Sequence, residues 1–67
     1  MVIKYPLDLH QDMKDAANDP LIEDIKKNGL SKPIFVSSKG WIIKGRRRYV
    51  ACRNAGIPIE KIPYITE

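Results

Sequence analysis

The sequence predicts one small α+β domain with three to four short strands and two to three helices. Its 67 residues are enough for a single core and leave no room for a second domain. The composition, 43% hydrophobic and 30% charged, is ordinary for a folded protein and argues against disorder. Helix signals and short runs of β-forming residues both occur along the chain, bounded by glycine and proline. We therefore expect a single domain over residues 1–67.

The first half of the chain is expected to contain an edge strand and one well-marked helix. Residues 2–9 mix β-forming residues with a proline, which is typical of a short edge strand. The polar residues 10–19 fit either a loose helical turn or an exposed loop. Asp19 and Pro20 then match an N-cap and the first position of a helix. Apolar residues follow at helical spacing until Asn28-Gly29, where the helix is expected to end.

The second half of the chain is expected to contain a hairpin, a helix and a last strand. Residues 33–44 predict the hairpin, with its turn at 38–40. After Gly45 the sequence has helical character, with small residues on one face, up to a C-terminal stop at Gly56. Residues 62–65 predict a strand beside the others.

Charge in this chain favours anionic partners. The formal net charge is +4 and the pI is near 9.4. Residues 44–53 contain no acid and carry more positive charge than the chain has in total. Their five basic residues are Lys44, Arg46, Arg47, Arg48 and Arg53.

The sequence also predicts a cytoplasmic protein with no membrane partner. No apolar run approaches the roughly 20 residues of a membrane span, and the N-terminus has no signal-peptide core. A single cysteine cannot form an intramolecular disulfide, which is consistent with a reducing compartment.

The run Gly45-Arg46-Arg47-Arg48 is the strongest candidate site. A glycine between a strand and a helix permits a sharp turn, and the helix after it presents free N–H groups and a positive dipole end. Three arginines in that first turn oppose the dipole, which is a local cost unless an anion binds there. Arginine also matches phosphate, because its planar fork bonds two oxygens. A solvated basic face is the alternative interpretation.

Three segments together resemble the N-terminal domain of ParB and the wider ParB/sulfiredoxin superfamily. The first is a helix ending in Asn-Gly-Leu, followed by a Pro-Ile strand, over residues 21–36. The second is a Gly-x-x-Arg box after a second strand, with an alanine three residues beyond it, over residues 42–51. The third is a closing Ala-Gly before Ile57. The resemblance covers about residues 19–66.

This resemblance implies a minimal ParB-like (ParB-like nuclease) domain that binds nucleic acid or a nucleoside triphosphate, CTP or ATP with magnesium, at the box. By matching position, Gly45 allows close backbone approach, and Arg47 and Arg48 hold phosphate oxygens. Arg46 occupies the place of the sulfiredoxin cysteine, so sulfiredoxin activity is not expected, and Cys52 falls where the family has a small core residue. ParB-like CTP hydrolysis is doubtful, because ParB has glutamate at this place. We also expect neither a helix-turn-helix reader nor a ParB dimerisation domain.

Several further residues are candidates around the box. Lys32, directly before the Pro-Ile strand, is placed to face the same phosphate, as are Lys44 and Arg53. Trp41 and Tyr49 flank the cluster and are candidates for stacking on a base, although core packing is the favoured interpretation of Trp41. No metal ligand or catalytic residue is assigned: His10 is a lone histidine, and five aspartates are expected to be caps and solubilising charges. They are Asp8, Asp12, Asp15, Asp19 and Asp24.

Three functional hypotheses follow from these observations. The first is a phosphate-recognising binding module without catalytic machinery, active as a monomer or a homodimer. The second is an enzyme, a metal-dependent nuclease or nucleotide hydrolase, in which the arginines stabilise the transferred phosphate and an aspartate holds magnesium. The third is a small regulator, an accessory protein of a phage, plasmid or other mobile element, that docks on a partner protein through the basic cluster or through Tyr64, Ile65 and the last strand.

Overall fold

The computed structural model describes residues 2–67, and it confirms the α+β class. Three helices and a three-stranded sheet are present among those residues. None of the helices in this range is long and apolar enough to cross a membrane. In chain order the elements are α1 (Leu9–Asp15), α2 (Pro20–Asn28), β1 (Ile34–Val36), β2 (Ile42–Lys44), α3 (Arg46–Asn54), a 3-10 turn (Ile59–Lys61) and β3 (Tyr64–Thr66).

The prediction of an edge strand over residues 2–9 is wrong. Only Lys4 forms a bridge there, parallel to Trp41 at the hairpin. From Leu9 onward the chain is helical instead, because the Asp8 carboxylate accepts a hydrogen bond from the Gln11 backbone N–H at 3.1 Å and caps α1. Of the two alternatives for residues 10–19, the exposed loop is therefore wrong for residues 10–15, which are helical.

Helix α2 begins and ends as predicted. Asp19 is its N-cap, with a side-chain oxygen 3.0 Å from the Leu21 backbone N–H, and Pro20 is its first residue. Gly29 follows the last helical residue at a positive φ of 72°. Ile22 and Ile25 are buried, which sets the face that α2 turns toward the core.

The predicted hairpin and last strand form a mixed sheet in the order β2-β1-β3. Strand β1 is central, antiparallel to β2 and parallel to β3. Phe35 pairs with Lys44 and Val36 with Ile42, so a bulge adds one residue to β2 between these two pairs. This bulge keeps Ile42 buried while the next two residues of β2 are exposed.

Helix α3 packs against β1 and against both other helices, and it contributes four of the eleven buried hydrophobic residues found among residues 2–67. Of the predicted small-residue face, Ala51 and Cys52 are each at most 1% exposed, whereas Ala55 is half-buried. Tyr49 is also 1% exposed. The prediction that Trp41 belongs to the core is wrong, because 44% of this residue is exposed beside the hairpin turn. Burial raises the pKa of the Cys52 thiol, which is in accord with the small core position predicted for it.

Candidate anion-binding site

Gly45 joins β2 to α3 in a conformation that glycine alone adopts readily. Its φ is 91° in the left-handed region. A Cβ at this position would lie 2.9 Å from Ile34 Cγ2 and 3.2 Å from Ile34 Cα. Since Ile34 is fully buried in the central strand, the glycine also lets α3 start directly against the sheet.

The N-terminus of α3 differs from those of α1 and α2. Each of the other two helices has an aspartate cap and an acid in its first turn. Helix α3 has neither, and no side chain within residues 2–67 caps its first N–H groups. Its first turn instead carries Arg46, Arg47 and Arg48, so the uncapped N–H groups, the positive end of the dipole and the cations coincide.

One of the three arginines is already paired. Arg47 Nε and Nη2 donate to the two carboxylate oxygens of Asp19, each at 2.8 Å. The hydrogen bond from Arg47, together with the one from the Leu21 N–H, lowers the pKa of Asp19 to about 2. This bidentate contact ties the start of α2 to the start of α3 and neutralises one arginine of the box.

Arg46 and Arg48 form no ion pair with any residue from 2 to 67. Arg46 is exposed and Arg48 is half-buried. Both line a groove of about 540 Å³ at the start of α3, together with Leu21 from α2. The groove therefore has two unpaired guanidinium groups, one paired guanidinium group and an apolar wall.

The remaining predicted basic residues lie at two different places. Because β1 and β2 are antiparallel, Lys32 before β1 and Lys44 at the end of β2 both lie at the Gly45 end of the sheet, and both are exposed. Arg53 is in the last turn of α3, about 10 Å along the axis from Arg46 at 1.5 Å per residue. There it donates to the Tyr49 hydroxyl at 3.0 Å, so the structure does not bring it to the box.

Neither aromatic candidate is placed to stack on a base bound at the box. Tyr49 is 1% exposed and its ring stacks on Tyr5, with centroids 5.8 Å apart, so it belongs to the core. Trp41 is exposed but lies before the start of β2, about four residues or 13 Å from Gly45. Both stacking expectations at the box are therefore corrected.

The five aspartates expected to be caps and solubilising charges have local partners. Asp8 and Asp19 are caps, as predicted, and Asp15 accepts from Gln11. Asp12 accepts a hydrogen bond from the Tyr5 hydroxyl, while Asp24 accepts one from the Asn28 side-chain amide. No group of three or more His, Cys, Asp or Glu side chains converges among residues 2–67, and His10 is exposed on α1.

Sequence patterns do not reveal that Asp19 and Tyr5 are neighbours of the box. The sequence predicts Asp19 only as a cap, and its partner Arg47 is 28 positions away along the chain, so no local pattern marks the pair. Tyr5 lies close enough to Arg46 for that cation to favour its ionised form, yet burial and then the hydrogen bond to Asp12 raise the pKa of Tyr5 to about 12. Asp12 lies on α1. The one sequence pattern that indicates the start of this helix is Asp8 followed three residues later by Gln11, the spacing of a capping pair.

Comparisons with protein-family models, with curated proteins and with solved structures found no match for this chain. The function of the site is therefore inferred from its own geometry and charge.

Proposed function

We propose that this protein is a phosphate-binding module that holds a nucleic acid or a nucleoside triphosphate at Gly45-Arg46-Arg47-Arg48. The observation that carries the proposal is the contrast between helix N-termini: α1 and α2 are capped by aspartate, whereas α3 begins uncapped with three arginines beside an open groove. A phosphate at this position would receive hydrogen bonds from backbone N–H groups and charge from the guanidinium groups.

The ion pair between Arg47 and Asp19 makes the three arginines unequal in their availability to a ligand. Arg46 and Arg48 are available to the ligand, since no carboxylate among residues 2–67 holds them. Arg47 reaches the ligand only by sharing or leaving Asp19. We therefore assign direct phosphate contacts to Arg46 and Arg48, with Lys32 and Lys44 adding charge from the same end of the sheet.

The resemblance of the box to ParB and sulfiredoxin supports the same ligand class and the hypothesis of a stand-alone ParB-like domain. We place it in the cytoplasm, where nucleotides and nucleic acids occur. Turnover of the ligand is not part of the proposal, and the hydrolase alternative predicts an absolute need for magnesium.

The direct test is an amide NMR titration with CTP, with ATP, with a short DNA duplex and with single-stranded DNA, each with and without magnesium. We expect saturable shifts centred on residues 45–49 for at least one of these ligands. No shift there with any of them would contradict the proposal. Release of inorganic phosphate or cleaved DNA, dependent on magnesium, would instead favour the enzyme hypothesis.

Variants of the box sharpen this test. Arg46→Ala and Arg48→Ala should each weaken binding about tenfold or more, as expected for loss of a charged hydrogen-bond donor. Lys61→Ala removes an exposed cation outside the box and should leave affinity unchanged. Equal losses in all three variants would show that only net charge matters.

For DNA, two to three phosphate contacts predict a slope of about −2 to −3 for log affinity against log salt concentration.

Asp19→Asn tests the role given to Arg47. Asparagine is as good an N-cap as aspartate, so α2 keeps its cap while Arg47 loses its charged partner. We expect tighter phosphate binding than in the wild type, with Asp8→Asn, the same change at the cap of α1, as the matched control. Unchanged or weaker binding in Asp19→Asn would mean that the ion pair positions Arg47 and does not compete with the ligand.

A further inference from the structure

The face of the sheet that points away from the helices is apolar and uncovered. Buried Ile34, Val36 and Ile42 mark the inner face. Since side chains alternate along a strand, Phe35 of β1 and Ile65 of β3 belong to the opposite face, where they are paired in register. Ile65 is 46% exposed and Phe35 is half-buried.

The bulge in β2 extends this face across the whole sheet. A regular strand would turn Lys44 to the same side as Ile42, but the extra residue opposite Phe35 leaves Ile43 and Lys44 both exposed. Ile43 is 46% exposed. An apolar band therefore crosses β2, β1 and β3.

Trp41 and Lys4 complete the band at the hairpin end. Trp41 precedes buried Ile42, and Lys4 follows buried Ile3, so both take the outward side. The Lys4 ammonium lies 5.4 Å from the centroid of the Trp41 ring, which shows that the two side chains share this side. We call the whole surface the outer sheet face; it consists of Lys4, Phe35, Trp41, Ile43, Lys44 and Ile65.

Charge around the outer sheet face is mainly positive. Lys32 precedes β1 and Lys39 lies in the turn between β1 and β2, and residues 32–44 contain no aspartate or glutamate. Lys4 and Lys44 lie on the face itself. Glu67, directly after β3, is the one acidic residue that adjoins these strands in sequence. The face thus combines exposed aliphatic side chains with a basic rim.

We propose that the outer sheet face docks an acidic amphipathic segment of a partner protein, with the apolar stripe of that segment on Phe35, Ile43 and Ile65 and its carboxylates toward Lys4 and Lys44. A second copy fits less well, because a two-fold contact would bring like-charged lysines together. Stacked bases also fit less well: the exposed contacts are mainly aliphatic, and Lys4 already covers one side of the Trp41 ring. None of the residues that line the phosphate groove belongs to this face, which shares with the proposed phosphate site only the peripheral cation Lys44, so the inference does not depend on the proposed function.

The test uses two synthetic helical peptides of about five turns, about 18 residues, with the same leucine stripe. One has glutamate beside the stripe and the other has lysine. Trp41 is the only tryptophan, so its emission reports directly on the outer sheet face. We expect the acidic peptide to shift the emission to shorter wavelength and to move the amide signals of residues 35, 43, 44 and 65, and we expect the basic peptide to do neither.

Matched variants identify the contacts. Ile65→Ser should weaken binding of the acidic peptide about tenfold, while Leu7→Ser, which changes an exposed aliphatic residue outside the face, should not. Lys4→Glu should also weaken binding, whereas Lys27→Glu on α2 should not. Circular dichroism establishes that each variant is folded before its affinity is compared.

Several outcomes would overturn the inference. They are absence of binding, equal binding of both peptides, peptide-induced shifts confined to residues 45–49, self-association through the outer sheet face in sedimentation equilibrium, and preferential binding of a single-stranded oligonucleotide to that face. Loss of phosphate binding in the box variants would leave the peptide result unaffected, so failure of one proposal is distinguishable from failure of the other.

Discussion

At the residue scale, Gly45 has two separate reasons to be glycine. Its φ of 91° is unfavourable for any residue with a Cβ, and that Cβ would contact Ile34 at 2.9 Å. Gly45→Ala should therefore lower the free energy of unfolding by about 2–4 kcal/mol, the sum of conformational strain and overpacking. Gly56→Ala is the matched control, because Gly56 has a φ of 82° but open space around its Cβ position. Urea unfolding should show the smaller loss for Gly56→Ala, and equal losses would contradict the contact with Ile34.

Asp19 links stability to pH at the same scale. Its pKa is lowered from 3.8 to about 2 by Arg47 and the Leu21 N–H, so the folded state favours the carboxylate. The resulting stabilisation is present above pH 3.8 and is lost as the pH falls through about 2. Asp19→Asn should remove this part of the acid-side loss in urea melts, whereas Asp24→Asn should leave it in place. Identical acid profiles for wild type and Asp19→Asn would contradict the ion pair.

At the scale of the element, α3 combines a basic first turn with an uncapped N-terminus. This combination favours binding of an anion but lowers the stability of the helix, because the cations oppose its dipole. Arg48→Glu should raise the free energy of unfolding by about 0.3–1 kcal/mol relative to Arg48→Gln, because a carboxylate complements the dipole. The same variant should lose phosphate binding. Lys27→Glu, compared with Lys27→Gln in the last turn of α2, should have the opposite sign. A stabilising effect at both sites would mean that net charge, and not the dipole, decides.

At the scale of the whole molecule, a thin core makes the fold sensitive to its ligand. Eleven hydrophobic residues are buried among those described, and the 67-residue chain has no disulfide. A ligand at 100 times its Kd adds about 2.7 kcal/mol, which corresponds to a rise in Tm of about 10 °C or more for so small a domain. Thermal melts at one fixed concentration of the best nucleotide or DNA ligand should show this rise in the wild type and at most about half of it in Arg48→Ala, whose affinity is expected to be about tenfold weaker or more. An equal rise in both would indicate binding elsewhere.

Features that depend on a few neighbouring residues follow from the sequence alone. Asp19-Pro20 and Gly29 bound α2, the hairpin turn separates β1 from β2, and Gly45 starts α3. Each follows from local dihedral limits and from hydrogen bonds to nearby N–H groups, which short patterns contain. The concentration of arginine at the start of α3 follows in the same way once the helix start is known.

Contacts between residues far apart in the chain depend instead on how the helices and strands pack. Arg47 and Asp19 are 28 positions apart, and their contact, which leaves Arg46 and Arg48 as the free cations, depends on the packing of α2 against α3. Packing also buried Tyr49 and exposed Trp41, although both are large aromatics beside the same basic run. Side-chain burial is a property of where elements lie in space, and in a domain with so small a core a single bulge in β2 was enough to form the outer sheet face.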